Sequence, residues 1–232
     1  LGLATGRTME PLYRTLVERL LSWSADELEA LRARWCSFNL DEYLGLSADD
    51  PRGYRAYMTH HLAAPLGLPA SAVHLPDSTA ADGAAAARRY GQQLNRCGGI
   101  GLQLLGLGSN GHVGFNEPPC PPDQHCHEVE LTPATRQQNA VLFDGCVEAV
   151  PERAITLGLW EILEAALVAE IAASDHDGTG RLDDAREVVD GGTSFDFGDE
   201  QGPSRMRLGA DATHVVSGTN EADGDHVDAG ID

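Results

Sequence analysis

His112 and Glu117 stand five residues apart within Leu104 to Pro118, which reads Leu-Leu-Gly-Leu-Gly-Ser-Asn-Gly-His-Val-Gly-Phe-Asn-Glu-Pro. An imidazole beside a carboxylate is an acid/base pair: the carboxylate orients the ring and raises its basicity. The glycines of this stretch, Gly108 and Gly111 among them, let the backbone take positive φ and approach a ligand closely. The plainer alternative is a glycine-rich turn carrying a surface histidine. A second group, Phe38-Asn39-Leu40-Asp41-Glu42-Tyr43-Leu44-Gly45-Leu46, sets three polar side chains among apolar ones. A carboxylate such as Asp41 can move a proton if it is poised in a partly dry site. Read alone, Asp41 and Glu42 also fit a solvated turn.

The elements around these residues fit one architecture. The apolar run Ile100 to Leu107 reads as a buried strand that breaks into the glycine-rich turn. Trp35 to Leu40 reads as another strand, with Asp41 emerging at its end. Ligands of open α/β sheets sit beyond such carboxyl ends. Leu1 to Thr8 reads as strand and then turn, and Glu10 to Trp23 has helical apolar spacing at Leu12, Leu16, Leu20 and Leu21. The turn between them, Thr5-Gly6-Arg7-Thr8, is either an ordinary strand–helix connection or an anion cradle made of backbone N–H groups at a helix start. Ser24-Ala-Asp-Glu27 predicts a capping box for a helix through Arg34. Pro51 opens a further helix. His60 and His61 on it are neighbours, so they face different ways and make a poor metal pair. A short strand at Val73 to Leu75 precedes an alanine-rich helix, Thr79 to Leu94. Strands alternating with helices predict an α/β fold: an open, mostly parallel, Rossmann-like sheet flanked by helices, in one domain with an irregular acidic tail.

Composition narrows the class of function. The 232 residues suffice for one such domain. The formal charge is −20, the wrong sign for a nucleic-acid partner. All 16 basic residues are arginine; there is no lysine. This acidic, lysine-free composition predicts a salt-adapted (halophilic) protein whose self-repulsion is severe in low salt. No apolar run approaches the length of a transmembrane helix, and no signal peptide is legible, so no membrane role is expected. The opening Leu-Gly-Leu-Ala-Thr-Gly, without Met and inside a predicted strand, reads as an incomplete start. Cys36, Cys97, Cys120, Cys126 and Cys146 are odd in number and irregular in spacing, which predicts reduced thiols in a cytoplasmic protein.

Together, Phe38-Asn39-Leu40-Asp41-Glu42-Tyr43-Leu44-Gly45-Leu46 and the stretch ending His112-Val-Gly-Phe-Asn-Glu117-Pro resemble the glucosamine-6-phosphate deaminase (isomerase) family. That family carries F-N-x-D-E-Y-x-G-L and, about seventy residues later, G-x-G-x-[DN]-G-H-x-[AG]-F-N-E-P. The shorter G-x-D-G-H form is shared with 6-phosphogluconolactonases, whereas His-Val-Gly-Phe-Asn-Glu-Pro points to the deaminase branch. The resemblance runs from residue 1 to about 173 and implies deamination of glucosamine 6-phosphate to fructose 6-phosphate and ammonia, with no metal or organic cofactor. It implies that His112 opens the sugar ring, that Glu117 orients it, that Asn110 stands where some relatives have Asp, and that Asp41 moves a proton between C2 and C1. Substrate contacts are implied at Thr5, Gly6, Arg7, Thr8, Glu42, Gly108, Gly111 and His127. The partner is a small amino-sugar phosphate, and self-assembly is open.

Departures from the family pattern set the alternatives. Arg7 and Met9 replace the small residue and proline of the family's T-G-[GS]-T-P phosphate loop. In Glu130 to Phe143, which resembles the next block, Val141 stands where an arginine grips phosphate, and the family's later lysine has no counterpart. Val150 to Leu159 matches the following strand, and Trp160 to Ala173 reads as helix. An impaired homologue that binds a sugar phosphate or a partner, or a lactonase-like hydrolase, is the competing reading. Cys120, His125, Cys126 and His127 lie close together but lack zinc-ligand spacing. Residues 174–232 read as a divergent acidic tail, with the composition of a disordered segment, beyond a 1–173 domain. In it Asp175 to Arg186 imitates a calcium loop without the bidentate Glu at its last position.

Overall fold

The computed structural model describes residues 1–108 and 110–171, and the backbone of 185–188. The Asp175–Arg186 stretch and the tail to residue 232 lie outside the described residues, apart from that last strand. In chain order the elements are β1 (Gly2–Leu3), α1 (Met9–Leu21), α2 (Ala25–Arg34), β2 (Ser37–Asn39), β3 (Asp41–Leu44), α3 (Tyr54–Met58), α4 (Ala64–Leu66), β4 (Val73–His74) and α5 (Gly83–Arg96). There follow β5 (Gln103–Leu105), β6 (His127–Glu130), α6 (Pro133–Asn139), β7 (Arg153–Thr156), α7 (Leu159–Leu163), β8 (Val168–Ile171) and β9 (Ala185–Val188). A π-turn, Thr59–Ala63, joins α3 to α4.

The main sheet has the order β4-β2-β1-β5-β8-β9, parallel except where β9 runs against β8. From β1 the chain moves outward to β2 and β4, then returns to the other side of β1 for β5. The crevice between β1 and β5 is therefore the topological switch point, where loops diverge and ligands of such sheets bind.

A second sheet, β3-β7-β6, is antiparallel throughout. One residue joins the two sheets: Leu40 donates its N–H to the Leu3 carbonyl at 2.9 Å and accepts the Leu157 N–H at 2.6 Å. Asp41 thus begins a strand of its own rather than capping the previous one.

Local chemistry explains the boundaries. Ser24 and Glu27 form the expected capping box of α2. The helix expected from Pro51 begins instead at Tyr54, because the Glu42 carboxylate takes the first two N–H groups there. α5 starts at Gly83, later than Thr79, since Asp77 holds Thr79 in a turn and Asp82 accepts the Ala85 N–H as N-cap. Trp160 to Ala173 is not one helix. α7 ends at Leu163, and Val168–Ile171 is recruited as a strand beside β5, the tertiary pairing overriding local helical preference.

The core forms where α1 and α5 meet the sheets. Leu3, Tyr13, Phe38, Leu105 and Ile155 are almost wholly buried, each such apolar side chain stabilising the fold by about 1.5–3 kcal/mol. Tyr90 of α5 donates to the Asn39 and His74 carbonyls, pinning the ends of β2 and β4.

Candidate active site

Asp41 sits at the carboxyl edge of the main sheet, where β2 hands over to β3. It is 6% exposed, and among the described residues its carboxylate accepts no hydrogen bond. Burial pushes its pKa up to about 8, and the neighbouring Glu42 charge adds to the rise. A carboxyl group in this state can hold or give up a proton near neutral pH.

Glu42 does different work. Its Oε1 accepts the Tyr43 and Tyr54 N–H groups at 2.9 and 3.0 Å, and Oε2 accepts the Arg55 N–H at 2.8 Å. It is 2% exposed. The carboxylate expected to touch substrate caps the start of α3, and it fixes the backbone next to Asp41.

Opposite Asp41, the chain leaves β5 through a loop that folds back on itself. Gly108 donates to the His112 carbonyl and accepts the Gly111 N–H, both at 2.9 Å. The His112 imidazole lies directly on Gly108, in the space any Cβ would fill. Asn110 Oδ1 accepts both the His112 backbone N–H at 3.2 Å and ring Nδ1 at 2.5 Å. The backbone donor fixes this oxygen as the acceptor, so Nδ1 carries the proton and Nε2 is left as the basic nitrogen. Half-burial lowers the His112 pKa and the Glu117 charge opposes that shift, so the ring is neutral at pH 7.

The loop then seals against the second sheet. Gly114, at φ +59°, presents its backbone to Asp41 Oδ2; a Cβ here would stand 3.2 Å from that oxygen and 3.0 Å from Thr156 Oγ1. Asn116 donates to the Val113 and Leu157 carbonyls at 2.9 and 2.8 Å. Glu117 makes no hydrogen bond to His112; its Oε1 accepts from the Thr132 hydroxyl at 3.1 Å and from the Thr135 hydroxyl.

Residues 1–177 match the family model described as glucosamine-6-phosphate isomerases/6-phosphogluconolactonase. The chain belongs to this family. It is 41% identical over 191 residues to glucosamine-6-phosphate deaminase of Streptomyces coelicolor, covering 82% of this chain and 70% of the relative. The Rhodopirellula baltica enzyme of that name is 45% identical over 175 residues, at 75% and 67% coverage. The structure of a monomeric glucosamine-6-phosphate deaminase aligns at TM-score 0.63 and 36% identity, over 73% of this chain and 68% of that one. 6-Phosphogluconolactonase from Thermotoga maritima shares the fold at TM-score 0.53 and 19% identity, with 73% and 67% coverage. The chain spans between 67% and 70% of the length of these four relatives.

In this family frame, Thr5, Gly6, Arg7 and Thr8 form the β1–α1 loop, on the β1 side of the switch-point crevice. Gly6 takes φ +111°, and its carbonyl accepts from Met9 N–H and, at 2.8 Å, from the Tyr57 hydroxyl. Arg7 is exposed and makes no ion pair among the described residues, so its guanidinium is available to an anion. Val141 lies on an exposed turn with 67% of its surface in solvent and offers no charge there. His127 opens β6 in register with Thr156, which is itself in register with Asp41. The three share one face of the second sheet, with His127 two strands away from Asp41.

Among the described residues no cluster of His, Cys, Asp or Glu could hold a metal ion. His125 pairs with buried Glu161 at 3.1 Å. No helix among the described residues is long and apolar enough to cross a membrane.

Sequence reasoning passed over Gly114, Asn116, Thr132, Thr135 and Thr156. The first two lie inside the recognised motif. The threonines lie in the later stretches that resemble the family, Glu130 to Phe143 and Val150 to Leu159, but no residue chemistry in those stretches singles them out.

Proposed function

We propose that this chain converts glucosamine 6-phosphate and water to fructose 6-phosphate and ammonia. One observation carries the reading: a buried Asp41 carboxylate, without a hydrogen-bond partner among the described residues, lies beside Gly114 of the same loop that presents His112 with its Nδ1 held by Asn110. In this scheme His112 Nε2 takes the proton from the O1 hydroxyl of the cyclic sugar and returns it to O5, which opens the ring. Asp41 then removes the C2 proton and delivers it to C1, while a proton passes from the amine nitrogen to O1, so the C1 aldehyde becomes a hydroxyl-bearing carbon and an imine stands at C2. Water adds to that carbon and ammonia leaves. The phosphate is assigned to the Thr5–Thr8 loop, with Arg7 in place of the missing arginine and lysine.

Five free thiols support a reducing, cytoplasmic setting. A charge of −20 without lysine supports salt adaptation, so the assay belongs in molar salt. Ammonia and fructose 6-phosphate are measured together. Equal release of both, abolished in Asp41→Asn, is the expected result. No release from a folded chain would favour a binding homologue with a weakened phosphate grip. Hydrolysis of a 6-phosphogluconolactone without ammonia would favour the lactonase branch.

A further inference from the structure

Glu117 needs an anchor, because the loop that carries it turns through two positive-φ glycines, Gly111 and Gly114, and leads into exposed prolines. The anchor comes from the opposite side of the site. Thr132 follows β6 and caps α6, accepting the Thr135 N–H at 3.2 Å. A threonine hydroxyl has one proton to give. Thr132 accepts from the backbone, and its hydroxyl stands 3.1 Å from both Glu117 Oε1 and Thr135 Oγ1, while Thr135, which is buried, gives its proton to Glu117 Oε1.

We infer that Thr135, assisted by Thr132, is a positioning residue for the proposed deaminase reaction: the two hydroxyls hold the Glu117 carboxylate by Oε1 and so set where its charge stands relative to His112. The inference rests on the proposed function and deepens it. Two donors on one oxygen suit a carboxylate, which accepts only. They also tie the His112 loop, which leaves the main sheet, to an element that leaves the second sheet, so the acid/base pair is braced from both sheets.

Thr135→Val keeps the side-chain shape and removes the hydroxyl; Thr135→Ser keeps the hydroxyl. Glucosamine 6-phosphate turnover is measured for both against the unmodified chain, together with thermal midpoints. For Thr135→Val, kcat is expected to fall roughly 10- to 100-fold, the scale of a misplaced catalytic group, with KM nearly unchanged. Thr135→Ser is expected to restore most of kcat. If Thr135→Val turns over like the unmodified chain, the inference is overturned while the deaminase reading stands. If both variants lose activity together with thermal stability, Thr135 is only a packing residue and the inference is overturned. If the unmodified chain itself releases no ammonia, the deaminase reading fails first and takes this inference with it.

Discussion

Asp41 and His112 are held in unlike ways. Asp41 is set by strand register: both neighbours along the chain are locked in backbone ladders, and its carboxylate is dry and without a partner among the described residues. His112 is set by side-chain and loop contacts: a glycine floor, one amide oxygen, and partial exposure. The contrast follows from what each group must do. A carboxylate is too weak a base in water, and only desolvation lifts it toward neutrality. An imidazole already titrates near neutrality, so it needs orientation and access more than burial.

The hardest test of this contrast removes the buried charge. Asp41→Asn is expected to lower turnover by roughly 10²–10⁴-fold, the usual worth of a general base, with the far-ultraviolet circular dichroism unchanged. The same variant should be more stable at high pH. An unfolded chain ionises an aspartate near about 3.9, whereas the folded chain holds this proton to about 8. Ionisation therefore favours unfolding. The stability is full below pH ~4 and is lost as pH rises to 8, at roughly 1.4 kcal/mol per unit. Urea midpoints measured across that window should slope in the unmodified chain and flatten in Asp41→Asn. Turnover runs the other way, because the base must be ionised: kcat/KM should rise with pH and level off above about 8.

Glu42→Gln comes next. It weakens charged hydrogen bonds at the start of α3, at about 1.5–3 kcal/mol for such a bond. It also removes a charge that raises the Asp41 pKa, so the rise in kcat/KM should move to lower pH. A rate profile unmoved by this change would mean that Asp41 and Glu42 do not sense each other.

Gly114→Ala attacks the point of contact. The left-handed backbone costs about 1–2 kcal/mol for a residue with a Cβ, and the new methyl would press on Asp41 and Thr156. Reduced kcat with a modest fall in thermal midpoint is expected.

Asn110→Asp should have the smallest effect. It leaves the bond to Nδ1 and adds an opposite charge, which raises the imidazole pKa by about 1–3 units when close. A proton NMR titration of His112 reads this directly, and no movement would mean that Asn110 does not face the ring in solution.

The glycine-rich loop and the Asp41 motif were legible because their chemistry is local: residue types at short spacing after an apolar run. β1, β2, β4 and β5 were legible for the same reason, as were α1 and α2. The second sheet was not. β3 and β6 are four-residue strands with polar side chains, and both pair with β7, far along the chain from β3. No local pattern specifies such a pairing. The same blindness hid Thr132 and Thr135, which meet Glu117 only after β6 and β7 have paired. It also hid the backbone role of Glu42, whose partners at the start of α3 are set by tertiary structure.

Leu40 carries a further consequence, one of chain length. Its N–H reads one sheet and its carbonyl the other. One residue inserted between Phe38 and Asp41 would shift the base by about 3.3 Å along the strand. It would also turn every following side chain of β3 to the opposite face. Asp41 would then take the face on which Glu42 now meets the start of α3, and Glu42 would move to the other face. The spacing from Phe38 to Asp41 thus acts as a ruler, and any insertion or deletion there is expected to destroy function even if every named side chain is kept.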